Sequence, residues 1–396
     1  MMPLSIIPDP SALILSAAAF GQASLCAILL FSRAALAPHS RWLSLIFTCL
    51  GILASGPISA ALFAPLYPVI MGVVLFALYA LPVLFWLYTL SLTQAPESAP
   101  VRPHWTHAIA PLCGGLGLLS IITLPAEVRL AMFVSGDLDG TDHAAAVALV
   151  LFILVISWTP VSAGYGIAVQ RRLIRHRRLL RDNLSNTDGR DLFWLSGIIL
   201  AIAAIWCSAI ILLVLDNVWS GLHLPASLGP VMLLVLILVL SLRGLEQDNG
   251  LAAPAEPAHA PTPDQSPVED VQKYKKSALS ETDAARIAER LEQAMQDDRL
   301  YLDPNLSLTK LARHVRVASN HLSQTLNEAL DETFFDYVNR WRIEAALPHI
   351  AEGKETVLNI ALDVGFNTRS TFYTAFKRVT GMTPRAYRET ALNTSG

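Results

Sequence analysis

A helix predicted near the carboxyl terminus carries polar side chains that can read the edges of DNA bases. Its apolar positions follow helical spacing and define one buried face: Phe372, Ala375, Phe376 and Val379. Ser370, Thr374 and Lys377 project from the opposite face, and Arg369 projects at the amino-terminal end, which enters a major groove first. An arginine can bond guanine O6 and N7 together, so Arg369 is the strongest single candidate for a base contact.

Basic residues on and after this helix are placed to contact phosphates, and they are Lys377, Arg378 and Arg385. Phosphate contacts position a protein on DNA without specifying sequence. Residues 281–396 as a whole hold 14 basic and 16 acidic residues, but residues 365–390 hold five basic residues against Glu389 alone. This local basic surface suits phosphate attraction, and binding through it should weaken steeply with salt.

A second set of candidates lies about 50 residues earlier, on a helix predicted over 319–329. Its apolar side is formed by Leu322, Leu326 and Ala329. Asn320, Ser323 and Gln324 project from the opposite side, and their amide and hydroxyl groups can hydrogen-bond base edges. A solvated helix face would explain one such helix better, so the repetition of the pattern is what favours DNA binding.

Each of these helices follows a shorter helix and a tight turn, which is the arrangement of a helix-turn-helix. The first unit has a helix beginning after Ser307 and a turn over 315–317. The second has a helix over 356–364 followed by Gly365, where the turn requires a positive φ. A long helix over 334–350 connects the two units. No segment alternates like a strand, so residues 281–396 are predicted to form an all-α domain.

The second unit also contains a specific set of motifs: Val364-Gly365-Phe366, Ser370-Thr371-Phe372, Phe376-Lys377-Arg378, Thr380-Gly381-Met382-Thr383-Pro384 and Tyr387-Arg388. Together they resemble the carboxyl-terminal signature of AraC/XylS-type transcription regulators. The resemblance extends back through Arg342-Ile343-Glu344-Ala345-Ala346 and Leu311-Ala312 to about residue 282.

This resemblance implies that two recognition helices enter successive major grooves of double-stranded DNA, and that RNA polymerase is a further partner. The family pattern points to Asn320, Ser323 and Gln324 in the first unit. In the second unit it points to Arg369, Ser370 and Thr374. There are two departures from the pattern, because Arg316 stands where a turn glycine is usual and Ala318 stands where a capping serine is usual. Both departures weaken the expected geometry of the first unit.

The first 245 residues are too apolar for water and are predicted to lie in a lipid bilayer. The chain is 53% hydrophobic and only 15% charged, with a mean hydropathy of +0.46, which excludes a wholly soluble protein of this size. Long apolar runs predict a seven-span bundle of transmembrane helices, because only closed helical backbones suit such runs in lipid. The predicted spans lie near 11–32, 42–64, 67–92, 103–126, 143–170, 192–215 and 217–242.

Arginines in the connecting loops predict the orientation of this bundle. The first, third and fifth loops hold ten arginines, and the alternate loops hold only Arg129. The positive-inside rule places the odd loops in the cytoplasm. The amino terminus is then outside, the carboxyl-terminal domain is cytoplasmic, and the expected location is the bacterial inner membrane as a multi-pass protein.

Several functions are disfavoured by what the sequence lacks. The first lysine is Lys273, which excludes a retinal Schiff base in the apolar half, and the absence of deep intramembrane charges disfavours an ion pump. Cys26, Cys49, Cys113 and Cys207 have neither zinc nor disulfide spacing. No catalytic pair or phosphate loop is found, so we expect no enzyme activity, no metal and no cofactor.

The sequence therefore predicts three parts: a transmembrane domain over 1–245, an Ala/Pro-rich cytoplasmic linker over 246–280 and a DNA-binding domain over 281–396. The predicted function is a one-component transcription regulator that senses an unknown small-molecule or membrane signal. Its expected partners are DNA and the lipid bilayer, and a homodimer is left open. The alternative is a transporter-like or enzymatic membrane module with an appended regulatory or protein-interaction domain.

Overall fold

The computed structural model describes residues 9–33, 38–94, 104–137, 142–188, 190–204, 225–245 and 280–394. Within these ranges every regular element is a helix, which confirms the predicted all-α class. Contacts divide the chain into two compact units. The first unit comprises Met1–Leu173 with Leu192–Ala252, and the second comprises Ile174–Asp191 with Ala253–Gly396.

The first unit is built from apolar helices: α1 (Pro10–Arg33), α2 (Pro38–Leu62), α3 (Tyr67–Thr93), α4 (Ile109–Ile122), α5 (Ala126–Val134), α6 (Asp142–Asn183), α7 (Phe193–Ala204) and α8 (Leu228–Leu245). Only the part of α6 up to Leu173 belongs to this unit, and its last residues belong to the second. In the described residues, six helical stretches are long and apolar enough to cross a membrane, with α4 counted together with the 3-10 turn before it. Helix α6 has 42 residues and runs well past the predicted end of the fifth span.

Six of the seven predicted spans thus coincide with helices of sufficient length. For the remaining span, predicted over 192–215, the structure describes α7 up to Ala204, and residues 205–215 lie outside the described ranges. The last helix begins at Leu228, after Pro225 as expected. The count of seven spans stays a prediction.

Small residues and buried polar groups hold α3 against its neighbours in this unit. A Cβ added at Gly114 of α4 would lie 2.7 Å from Phe76 Cα, so only glycine permits this approach of two helix backbones. Towards α6, Tyr79 Oη donates to Leu154 O at 2.7 Å, and Trp158 Nε1 donates to Leu78 O at 2.7 Å. Such bonds satisfy polar groups in an apolar setting, where an unpaired group is costly.

The carboxyl-terminal part of the second unit contains α9 (Glu281–Gln296), α10 (Leu308–His314), α11 (Ser319–Gln324), α12 (Phe334–Glu352), α13 (Val357–Asp363), α14 (Arg369–Thr380) and α15 (Pro384–Thr394). Helix α12 takes part in two apolar cores. Phe334 and Val338 pack with α9, α10 and α11, whereas Ile343 and Ile350 pack with α13 and α14. The predicted connecting role of this helix is confirmed by this division.

Side-chain caps explain why these short helices begin where they do. Ser307 Oγ accepts a hydrogen bond from Lys310 N, and Thr356 Oγ1 accepts one from Asn359 N. These bonds satisfy backbone donors that have no partner in the first turn of a helix. The predicted cap at Ser307 is confirmed.

Two details of the predicted helix packing are wrong. The helix predicted over 319–329 is α-helical only to Gln324 and continues as a π-helical turn over Thr325–Ala329, which leaves Ala329 exposed. The buried Thr325 hydroxyl donates to His321 O at 2.9 Å, so this polar group is satisfied within the helix. Val379, predicted to be buried, is 42% exposed because α14 ends one residue later.

Candidate nucleic-acid interface

The second helix-turn-helix consists of α13, a turn at Gly365 and α14. Gly365 has a φ of +93°, as its position predicts, in the region that favours glycine. A Cβ added there would lie 2.7 Å from Tyr301 O and 2.9 Å from Leu302 O, so the turn packs directly against backbone. Phe366 is buried next to it and meets Phe372 edge to face with ring centroids 5.3 Å apart. These contacts fix the start of α14 relative to the core.

Arg369 is the first residue of α14 and is exposed. Thr368 caps the helix before it, accepting a hydrogen bond at Oγ1 from Thr371 N at 3.3 Å. Arg369 Nη2 donates to Tyr373 Oη at 3.0 Å, and the guanidinium carbon lies 4.9 Å from the tyrosine ring centroid. The tyrosine therefore orients the guanidinium without burying it, which suits a bidentate contact to guanine.

The other predicted residues of the second unit are exposed on the same helix. Ser370 and Thr374 are one turn apart, and Thr374 Oγ1 donates to Ser370 O at 3.0 Å. Further along the helix, a surface groove is lined by Tyr373, Thr374, Lys377, Arg378 and Thr383. The structure thus brings the predicted base-reading residues and two predicted phosphate-binding residues together on α14.

The three basic residues predicted to contact phosphates differ in their surroundings. Lys377 is exposed. Arg378 forms an ion pair with Asp336 of α12, and Arg385 Nε donates to Glu389 Oε1 at 2.9 Å within α15. The Arg385–Glu389 pair is exposed and contributes little, about 0–1 kcal/mol, so a phosphate can replace Glu389 at low cost. The side chain of Asp336 is only 22% exposed, so its pair with Arg378 is less easily exchanged.

The first helix-turn-helix consists of α10, a turn at Arg316 and α11. Arg316 has a φ of +59°, so the position where the family has glycine needs a left-handed backbone here as well. Ala318 precedes α11 and provides no side-chain cap, in agreement with the departure noted from the sequence. This unit therefore retains the turn but lacks two of the residue types that stabilise it.

The polar side chains predicted to read bases in the first unit are engaged along their own helix. Asn320 Oδ1 accepts a hydrogen bond from His321 N at 2.9 Å. Gln324 Nε2 donates to Glu328 Oε2 at 2.8 Å, and Ser323 Oγ accepts a bond from Asn327 Nδ2 at 3.4 Å. A base would have to displace these local bonds, just as it would have to compete with the bond from Arg369 Nη2 to Tyr373 Oη in the second unit.

Arg342 of α12 is a buried arginine that holds several backbone carbonyls together, and the sequence did not predict this role. It is only 1% exposed, and desolvation lowers its pKa to about 10. Nε donates to Tyr301 O at 2.7 Å and Nη2 donates to Asp303 O at 2.8 Å. The only sequence signal was its place at the start of a family-like run, because an arginine of α12 looks like an ordinary surface residue until the fold brings carbonyls around it.

The comparisons with known proteins concern this part of the chain. Residues 311–390 match the family model described as a helix-turn-helix domain. An HTH-type transcriptional regulator of Staphylococcus aureus (strain COL) is 36% identical over 89 residues, covering 22% of this chain and 12% of the relative. A protein of Streptomyces lividans, named as an AraC-like transcription regulator, is 37% identical over 92 residues, which cover 23% of this chain and 30% of the relative.

One solved structure is also similar, the carboxyl-terminal domain of AraT, a response regulator from Geobacillus stearothermophilus. It has 29% identity, covers 29% of this chain and 88% of that domain, and gives a TM-score of 0.25. The chain matches well under half the length of the curated relatives, and the matches lie in the carboxyl-terminal domain.

The class that these findings define is a helix-turn-helix protein whose carboxyl-terminal domain is similar to the domains of AraC-like transcription regulators. The relatives bear the names of regulators and not of enzymes, in agreement with the expectation from sequence. Among the residues that the structure describes, no three His, Cys, Asp or Glu side chains are grouped so that they could hold a metal ion.

Proposed function

We propose that this chain is a one-component transcription regulator, anchored in the bacterial inner membrane, that binds specific promoter DNA through its carboxyl-terminal domain. The observation that carries the proposal is the exposed side of α14, where Arg369 leads a row of polar and basic residues beyond a capped helix start. The same chain contains six apolar helices of membrane-spanning length, which supports anchoring.

In this proposal α14 enters a major groove with its amino-terminal end first. Arg369 bonds a guanine, and Ser370 and Thr374 contact neighbouring base edges. Lys377, Arg378 and Arg385 bind phosphates and fix the orientation of the domain. The first unit contributes Asn320, Ser323 and Gln324 in the adjacent groove, after their intrahelical bonds open.

The orientation follows from the loop arginines, with the amino terminus outside and the DNA-binding domain in the cytoplasm. The apolar unit receives a small-molecule or membrane signal, and the linker over 246–280 connects it to the DNA-binding domain. Besides DNA and lipid, RNA polymerase is the expected partner at a promoter, and a homodimer would suit two half-sites.

DNA binding is tested with the full-length protein in lipid nanodiscs. DNA fragments crosslinked to the protein in cells are sequenced, and the most enriched fragment is used to measure Kd. We expect Arg369→Ala to weaken specific binding about tenfold or more, because a bidentate base contact contributes about 1–3 kcal/mol of discrimination. Arg290→Ala, an exposed arginine on α9, is the matched control and should leave Kd unchanged. Binding that is independent of sequence and insensitive to Arg369→Ala contradicts the proposal.

Anchoring and sensing are tested separately. A reporter fused after Gly396 should be active only as a cytoplasmic enzyme, and a periplasmic reporter signal would contradict the proposed topology. Residues 1–137 are then replaced by an unrelated single-span anchor, so that α6 and the residues of the second unit that follow it are kept. Operator occupancy in cells should change, because the proposed signal enters through the apolar unit. Unchanged occupancy would contradict sensing and would leave membrane anchoring as the only role of that unit.

A further inference from the structure

The segment that follows helix α6 is bound to the DNA-binding domain within the second unit. We call residues 184–188 the docked segment. Ser185 N donates to Leu306 O at 3.2 Å, and Ser185 Oγ donates to the same carbonyl at 2.7 Å. Leu184 pairs with Ser307 in an antiparallel bridge, directly before α10. Ser185 is 1% exposed, so this end of the segment is fully packed.

The same serine completes the surroundings of the buried Arg342. Arg342 Nη1 donates to Ser185 O and Nη2 donates to Ser185 Oγ, both at 3.3 Å. A buried guanidinium needs acceptors for its N–H groups, and the docked segment provides two of them beside the carbonyls of Tyr301 and Asp303. The attachment is therefore tied to the packing of α12.

The other end of the segment reaches the recognition helix of the second helix-turn-helix. The carboxylate of Asp188 accepts hydrogen bonds from Thr368 Oγ1, at 3.2 Å, and from Thr371 Oγ1. Thr368 is the cap of α14 and is followed directly by Arg369. The negative charge of Asp188 thus lies at the positive end of the helix, which is a favourable place for an anion.

A DNA phosphate has the same requirements as this carboxylate. Helix amino termini and hydroxyl groups near them are common phosphate contacts, and the amino-terminal end of a recognition helix lies closest to the DNA. Thr368 and Thr371 cannot hold Asp188 and a phosphate at once.

We propose that the docked segment is an intramolecular competitor of DNA, in which Asp188 takes the position of a backbone phosphate at the start of α14. This inference rests on the proposed function as a DNA-binding regulator, and it adds a way in which the DNA-binding domain is held inactive. The segment begins where α6 ends at Asn183, and α6 is a continuous helix from its apolar residues to that point. The docked segment is therefore covalently continuous with a helix that begins in the apolar unit, and a movement of that helix can release it.

The test uses the full-length protein in nanodiscs and the most enriched DNA fragment. Asp188→Ala removes the competing carboxylate, so we expect Kd to fall about tenfold, the effect of losing charge-assisted hydrogen bonds in the unbound state. Asp182→Ala is the matched control, because it removes the same charge from α6 six residues earlier, and its Kd should equal that of the unchanged protein.

Hydrogen exchange gives a second readout that does not depend on the variant folding normally. Saturating DNA should speed exchange of the peptide containing residues 184–188, since Ser185 N–H loses its bond to Leu306 O, while peptides of α12 stay protected. The inference is overturned if the Kd of Asp188→Ala stays within twofold of that of the unchanged protein and DNA leaves the exchange of residues 184–188 unchanged. The proposed function still stands in that case if Arg369→Ala weakens DNA binding. Absence of any binding sensitive to Arg369→Ala overturns both.

Discussion

The two helix-turn-helix units share one topology but differ in how the turn and the second helix are stabilised. The first unit turns at Arg316 with a φ of +59°, has no cap at Ala318, and loses α-helical geometry after Gln324. The second unit turns at Gly365, is capped by Thr368, and continues for 12 residues in α14. The turn and the second helix are therefore better stabilised in the second unit than in the first.

The largest expected effect is at the turn of the second unit. Gly365→Ala should destabilise the domain by about 3 kcal/mol, because a strained φ is combined with a Cβ 2.7 Å from Tyr301 O. Hydrogen exchange of the α13 and α14 peptides in the full-length protein measures the change. Gly381→Ala is the control, since its φ is +77° but nothing lies within 4 Å of the added Cβ, and it should cost only about 1 kcal/mol. Equal costs would show that the contact with the Tyr301 carbonyl is unimportant.

The units should also differ in DNA binding. Arg369→Ala is expected to reduce discrimination at one base pair by about 1–3 kcal/mol, whereas Gln324→Ala should cost less, because hydrogen bonds from a neutral amide are weaker than those from a charged guanidinium. Competition of single-base operator variants for each protein gives both values. A larger loss from Gln324→Ala would reverse the ranking of the two units.

A smaller effect of opposite sign is expected at the first turn. Arg316→Gly should stabilise the domain by about 1 kcal/mol, since glycine accepts the left-handed backbone without steric strain. The measurement is again exchange of the α10 and α11 peptides. Arg313→Gly, in the helical backbone of α10, is the control and should destabilise.

The smallest expected effect comes from restoring the missing cap. Ala318→Ser should stabilise the start of α11 by about 0.5–1 kcal/mol, because the new hydroxyl can accept the hydrogen bond that His321 N now donates to Asn320 Oδ1. Ala318 already has an extended backbone with ψ of 141°, as a cap requires. If exchange at the start of α11 stays the same, the π-helical turn and not the missing cap limits this helix.

The regular parts of the domain were predictable because they depend on local spacing. Leu311, Leu322 and Leu326 are buried as their helical periodicity requires, and the glycine at 365 has the positive φ its turn demands. The exposure of Arg369 also followed from its predicted place at the amino-terminal end of α14. In the apolar half, runs without charge predicted most of the long helices, with boundaries that the structure moves by several residues.

The parts that were not predictable depend on contacts between distant segments. The burial of Arg342 requires carbonyls of residues 301 and 303 and of Ser185, which is 157 positions away. The contact of Asp188 with Thr371 joins residues 183 positions apart. The π-helical turn over Thr325–Ala329 is likewise not marked by any residue type in the sequence. No local pattern contains this information.

The docked segment is attached at two points, Ser185 near α10 and Asp188 at α14. If one attachment opens, the other keeps the loose end close to its site, at an effective concentration on the order of mM or higher. The open end then recloses before the second can dissociate. In the proposed mechanism both contacts must therefore be displaced before the domain is free, and a signal that opens only one of them leaves the start of α14 occupied.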